Sequence, residues 1–224
     1  MTSPSLLSYY DRYRELVDDW PAFLASLSAP LPICLWTNRL RIAPEALAER
    51  LTAEAGLPPH PVSWYPGAFR WPEASSRGPQ GLELPRPGLT TSHAQGLFTL
   101  QEEAAMLPVL LLAPRPGERI LDLCAAPGNK TAQLAVAVGQ AGTVVANDLH
   151  WARVSPLRRI QERLGLLNLV ATAGNGVTFP ADERGGLYDA VLVDVPCSCD
   201  ATLRKNPKVP LGQDDERRSR TAGV

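Results

Sequence analysis

Cysteine, aromatic residues and net charge are all scarce in this sequence, and each shortage removes a class of protein. Four cysteines among 224 residues, Cys34, Cys124, Cys197 and Cys199, are too few and too uneven for a disulfide framework. Reduced thiols in the cytoplasm are the expectation. Lys and Arg number 22 against 23 Asp and Glu, a formal charge of −1, so no global basic field marks a nucleic-acid binder and any such role must rest on local features. No apolar run reaches the ~18–20 residues that cross a bilayer, and the first residues lack a basic region followed by an apolar one, so neither membrane nor secretory placement is expected. Two fingerprints are missing as well. Neither G-x-G-x-x-G nor G-x-x-x-x-G-K-[ST] occurs, which argues against an NAD-dependent oxidoreductase and a nucleoside triphosphatase.

What remains is ordinary globular composition, 45% hydrophobic and 20% charged, in a chain long enough to bury about 70% of its unfolded surface. Apolar residues recur at helical spacing from Leu6 to Leu27 and from Ala43 to Ala55, on either side of a β-like run, PICLW. Leu57 to Gly88 is rich in Pro and Gly and reads as loop and short strand. Leu97 to Leu112 suggests a helix leading into the second half. These features predict a small α+β amino-terminal domain over residues 1–100, an α/β domain over 101–212 and a disordered, charged tail over 213–224.

The second half alternates apolar runs at Arg119–Cys124, Thr143–Asp148, Leu169–Thr172 and Tyr188–Val195 with segments fit for crossover helices. In SPLRRIQERLG, Ser155 suits an N-cap, Pro156 the first helical position and Gly165 the stop. Alternation of this kind predicts a parallel sheet whose ligands sit at the carboxyl ends of the strands. Those ends carry Asp122, Cys124, Asn147, Asp148, Asn175, Asp194 and Cys197.

Three motifs carry candidate chemistry. LDLCAAPGNKT, residues 121–131, runs from strand through a small-residue turn into a helix, where a ligand can approach the backbone; a plain βα turn is the alternative. Asp148, about 25 residues on, suits the two hydroxyls of a ribose or a helix cap. Asn175 suits an adenine edge or an Asn-Gly turn. In YDAVLVDVPCSCD, residues 188–200, Asp194, Pro196 and Cys197 stand where a flipped base can reach. Cys197 is a candidate nucleophile, with Arg204 and Lys205 near in sequence, or an inert buried thiol. Cys197 and Cys199 lack a second ligand pair, so no metal is expected. Arg39, Arg41, Arg70, Arg158, Arg159, Arg204 and Lys205 are candidates for a local phosphate groove, or simply solvated faces.

Taken in order, GLFTLQEEAAMLP, LDLCAAPGNKT, NDLHWAR and VLVDVPCSCDATLRKNP resemble the Nol/Nop/Sun group of S-adenosylmethionine-dependent RNA (cytosine-5) methyltransferases. PICLWTNRLRIAPEALAERL and PVSWYPGAF extend the similarity to the family's amino-terminal RNA-binding part. The resemblance implies a Rossmann-like methyltransferase sheet, present here as its first four strands, and a role in RNA methylation and rRNA processing. It places S-adenosyl-L-methionine against Cys124, Ala125, Ala126, Pro127, Gly128, Asn129, Lys130, Asp148, Arg153, Asn175 and Asp194. It puts Asp194 between cofactor and base and assigns Cys197 to product release. The sequence departs from the family at Asn129, where glycine is usual, and at Asn175, where aspartate is usual. The family's attacking Thr-Cys-Ser cysteine is absent, which implies a carboxyl-terminally shortened chain. The resemblance therefore leaves two expectations open: an enzyme completed by a carboxyl-terminal polypeptide, or a noncatalytic RNA-binding fragment. The physical counterpart is an apolar edge strand at VLVDV, suited to docking or aggregation.

Overall fold

Strand β1, Cys34–Thr37, is buried at all four positions, which a strand achieves only when both of its faces are covered. Alternation divides its side chains. Leu35 packs with Leu47, Leu51 and Ala55 of helix α2 (Pro44–Ala55) and with Phe69 and Phe98. Cys34 and Trp36 point instead into a larger core shared with the second half of the chain. The computed structural model describes residues 10–72, 85–180, 187–196 and 204. The chain divides into two compact units, Met1–Leu31 with Val195–Val224, and Pro32–Asp194.

In the first unit, a 3-10 turn (Asp11–Leu16) precedes helix α1, Trp20–Ser28. The single helix expected from Leu6 to Leu27 is broken at 17–19 because Asp19 caps a new start, its side chain accepting from Ala22 N at 2.9 Å, with Pro21 in the first turn. Trp20 stacks on Phe23 at 5.3 Å between ring centroids, and Tyr10 meets Phe23 edge-on at 5.9 Å. Arg204 donates to the Ala29 and Pro30 carbonyls.

The second unit holds two sheets. One is antiparallel, in the order β2-β3-β1-β4, with β2 at His60–Pro61, β3 at Ala68–Arg70 and β4 at Phe98–Leu100. The helix expected over Leu97–Leu112 is therefore a strand first: Phe98–Leu100 pairs with β1, a tertiary contact that overrides local spacing. A 3-10 turn at Ala104–Met106 and a short helix, α4 (Leu107–Leu112), follow, the four-residue helix α3 (Thr91–Ala94) having preceded β4.

The other sheet is parallel, in the order β7-β6-β5-β8, formed by Arg119–Asp122 (β5), Thr143–Asp148 (β6), Leu169–Ala173 (β7) and Ala190–Leu192 (β8). Ile120, Val144, Ala146, Leu169 and Leu192 meet Leu134, Ala135 and Val138 of helix α5 (Asn129–Val138) and Leu157 and Leu164 of helix α6 (Trp151–Leu164) in one core. Helix α6 starts five residues earlier than Ser155 as N-cap and Pro156 as first helical residue suggested. Pro156 lies inside it, where its missing N–H leaves only the Ala152 carbonyl without an i→i−4 partner. Gly165 ends it as expected, at φ +68°. No strand pairs with the outer edge of β8 among the described residues. The 213–224 tail lies outside the described residues.

The two sheets are tied by polar groups as well as by the core. Asn38, fully buried, donates to the Gly96 carbonyl at 2.9 Å and to Leu164, the last residue of α6, at 3.0 Å. At Gly96, φ is +69° and a Cβ would lie 1.9 Å from the Arg163 carbonyl oxygen. Gly96→Ala is thus expected to destabilise the protein by about 2–3 kcal/mol through combined strain and overlap, read as a lower urea midpoint at unchanged m.

Candidate functional site

The carboxyl ends of β5, β6 and β8 converge on the loop that joins β5 to α5. Asp122 closes β5 with 1% of its surface exposed. Its Oδ2 accepts the Thr131 hydroxyl at 2.6 Å, while its Oδ1 is buried with no hydrogen-bond partner. Burial, helped by the charge of Asp194, pushes this carboxyl up to about 6, against the pull of the Thr131 hydroxyl, the nearby Cys124 backbone amide and Lys130. Gly128 starts α5 at φ +110°, and a Cβ there would meet Leu157 Cα at 2.9 Å. The loop therefore lies flat on α6 only because this residue has no side chain.

Asp148 ends β6 almost fully buried. Its Oδ2 accepts Ala126 N at 3.2 Å, its Oδ1 accepts His150 N at 3.4 Å, and Arg153 Nη1 stands 3.4 Å from Oδ1. One carboxylate thus holds the cofactor-type loop, the start of α6 and an arginine, with lone pairs left over for further donors. Cys124 is half-buried between these acids. Desolvation first, then the charges of Asp148, Asp122 and Asp194, raise its thiol above the ordinary range, so it is a poor thiolate.

Lys130 Nζ meets Asp194 Oδ2 at 2.6 Å, bridging from the first turn of α5 to the segment after β8. β5 and β8 are adjacent in the sheet, and this is the place where strand order reverses and ligands of such sheets sit. Asn175 follows β7, and its side chain accepts from Val177 N at 2.9 Å, so it builds a local turn. Cys197 lies outside the described residues.

In the sequence Asn147 is only a polar strand end, and Thr131 only a residue of the loop motif. Asn147 is 1% exposed, donates to the Leu123 and Gly174 carbonyls at 3.2 and 2.9 Å and accepts from Thr172 at 3.2 Å. It braces the turns after β5 and β7 from the strand between them. The signal was a polar residue at the buried end of an apolar strand, next to the acid that drew attention.

The candidate phosphate-binding arginines are mostly committed elsewhere. Arg39 donates to the Pro66 carbonyl, Arg41 to that of Gln95, and Arg70 clasps Glu103 through Nε and Nη2 at 2.6 and 2.7 Å. Arg158 lies over the Trp151 ring at 4.8 Å. Arg158 and Arg159 are exposed, and Lys205 lies outside the described residues. No cluster of His, Cys, Asp and Glu among the described residues could hold a metal ion, and no described helix is long and apolar enough to cross a membrane.

The same architecture recurs in solved structures. A methyltransferase homolog protein from Pyrococcus horikoshii superimposes with a TM-score of 0.66 at 28% identity, over 88% of this chain and 64% of that one. NSun6 from the same organism, solved with SFG, shares the fold at a TM-score of 0.70 and 19% identity, over 87% of this chain and 71% of that one. The parallel sheet and its loop define a Rossmann-like methyltransferase fold. A family model described as 16S rRNA methyltransferase RsmB/F matches residues 109–222. The chain belongs to this family, within the Nol/Nop/Sun group that its motifs resembled. Ribosomal RNA small subunit methyltransferase F of Shigella dysenteriae serotype 1 (strain Sd197) is 35% identical over 208 residues, 89% of this chain and 41% of the relative. That of Klebsiella pneumoniae (strain 342) is 37% identical over 187 residues, 82% and 37% respectively. The chain thus spans about two-fifths of the length of these relatives.

The buried acid has a stability consequence of definite sign. A carboxyl that titrates near 6 instead of its ordinary 3.8 binds its proton more tightly folded than unfolded, so stability falls as pH rises through that window and stays lower above it. Asp122→Asn keeps the shape without the charge. The variant is expected to be more stable than the wild type by about 1–3 kcal/mol at pH 7.5 and no more stable at pH 4, measured by chemical denaturation at both values.

Proposed function

We propose that this chain carries the S-adenosyl-L-methionine-binding part of a cytoplasmic RNA (cytosine-5) methyltransferase that acts on rRNA. The observation that carries this reading is the convergence of Asp148, the 124–130 loop and the Lys130–Asp194 pair at the carboxyl ends of β6, β5 and β8. The donor set fits the ligand. Asp148 retains lone pairs for the ribose hydroxyls, and Lys130 and Asp194 are opposite charges matched to the carboxylate and ammonium of a methionine group. The amide of Asn175 keeps its N–H groups for an adenine edge while its oxygen holds the turn. Arg153 fixes the orientation of Asp148. The small residues Ala125 and Ala126 and the glycine of the turn let a ligand reach the backbone.

Bound S-adenosylmethionine supplies a methyl group on a sulfonium, ready for transfer to a carbon nucleophile. Such a nucleophile arises when a cysteine adds to carbon 6 of the cytosine and makes carbon 5 electron-rich. By the family resemblance Asp194, half exposed, would lie between that cofactor and the base. The family resemblance puts Cys197 in the release step and the attacking thiol in a Thr-Cys-Ser motif that these 224 residues do not contain. In this reading a carboxyl-terminal polypeptide bearing that motif completes the site, and residues 1–100 serve the RNA.

Asp148→Asn removes the charge that would accept both ribose hydroxyls, and S-adenosylmethionine affinity is expected to fall by about 1.5–3 kcal/mol, or roughly 10–150-fold, by titration calorimetry. Unchanged affinity in a folded variant makes Asp148 a structural clasp only. With cytosine-containing RNA and a supplied Thr-Cys-Ser segment, Cys197→Ser is expected to accumulate a denaturation-resistant RNA adduct. The 224-residue chain alone should form none, on a denaturing gel. A band from the short wild-type chain that vanishes in Cys197→Ser would instead make Cys197 the attacking thiol.

A further inference from the structure

None of the roles above uses the Asp122 carboxyl, yet it is the one carboxylate among the described residues with a buried oxygen that lacks a partner. Its other oxygen lies 2.6 Å from the Thr131 hydroxyl, and that hydroxyl lies 3.3 Å from the Ala125 carbonyl within the turn. Thr131 is itself fully buried, away from bulk water. The hydroxyl owns a single proton and faces two acceptors. Whether Asp122 carries a proton therefore decides which of them receives it.

We propose that Asp122 and Thr131 form a proton-linked latch on the cofactor loop. With Asp122 neutral, its Oδ2–H donates to Thr131, and the Thr131 hydroxyl donates onward to the Ala125 carbonyl and closes the turn. With Asp122 ionised, the proton on Oδ2 has left for bulk buffer, Thr131 turns its hydroxyl to Oδ2, and the Ala125 carbonyl is released. Asp122 is a positioning residue, acting on the loop through Thr131.

The charged and titratable groups around it are Lys130 on α5, Cys124 in the loop and Asp194 after β8. Lys130 and Asp194 are bonded to each other and largely cancel, while Cys124 stays a neutral thiol. Asp148, beyond Cys124, is paired with Arg153. Among the described residues no free cation thus stands beside Asp122 to hold it ionised. A ligand carrying a sulfonium and an ammonium brings that cation, so its binding expels the proton. This inference rests on the reading of the loop as an S-adenosylmethionine site.

Titration calorimetry of S-adenosylmethionine into the full chain near pH 6, in two buffers of different ionisation enthalpy, reads the proton directly. Release of about half a proton per ligand is expected, with affinity rising about tenfold between pH 5 and 7.5 as the ionised fraction grows. Asp122→Asn abolishes both the release and the pH dependence. Thr131→Val removes the hydroxyl that favours the ionised form, so its proton release moves to higher pH. In the ligand-free protein, carbon-13 carboxyl NMR is expected to show an aspartate titrating near 6 that is missing in Asp122→Asn. Binding without proton release, or an Asp122 midpoint below about 4.5, overturns the latch and leaves the cofactor site standing. Absence of any S-adenosylmethionine binding overturns both.

Discussion

Burying a polar side chain at the end of a strand is costly unless its atoms find partners, and this site is organised around that requirement. Asn147 meets it by reaching sideways to the turns after β5 and β7. Because those turns are held from the middle strand, Asp148 one residue later points into the loop and can receive the Ala126 amide. The loop, the start of α6 and the turn at Asn175 all take their positions from this pair of residues. The cofactor-type loop is therefore built by its neighbour strand as much as by its own small residues.

A second buried polar chain ties the antiparallel sheet to the same site. Trp36 donates to Gln101 at 2.8 Å, Gln101 approaches Gln133 at 3.3 Å, and Gln133 donates to the Tyr65 hydroxyl at 2.7 Å and to the Met106 carbonyl at 3.2 Å. Gln133 lies one turn into α5 from Asn129, so the helix that begins at the loop is keyed into the front sheet. Satisfied networks of this kind specify one arrangement of a core, because a half-satisfied alternative strands a donor or acceptor away from water. Arg163 does similar work at the far end of α6, donating to the His93 and Phe98 carbonyls and to Thr99, and its burial lowers its proton affinity.

Local pattern was a good guide wherever one segment buries one face. Thr143–Asp148 lies where a continuous apolar, β-branched run puts it, and Pro44–Ala55 follows from apolar spacing closed by Gly56. The loop and its two acids stand out in sequence because glycine, alanine and carboxylates at strand ends are costly to place there without a use. Local pattern failed where tertiary partners outvoted it. Leu97–Leu112 has helical spacing, yet Phe98–Leu100 becomes a strand because β1 offers it a ladder. Ser155 and Pro156 look like a helix start, yet the helix begins at Trp151, just after the His150 amide that Asp148 Oδ1 accepts where β6 ends.

What the sequence determined by itself is the class of protein: a parallel βα alternation, a small-residue loop after its first strand, acids at the next strand ends, and the order of motifs that marks the family. These are properties of spacing and residue type, and a chain carries them before it folds. Only the tertiary structure decided how those groups are charged and joined. Asp122 sits 70 or more residues from Asp194 and nine from Thr131, and its proton affinity depends on desolvation by the whole core. Lys130 and Asp194 meet across 64 residues because β8 returns beside β5. Burial and long-range pairing are sums over many segments, so no local reading of the chain contains them.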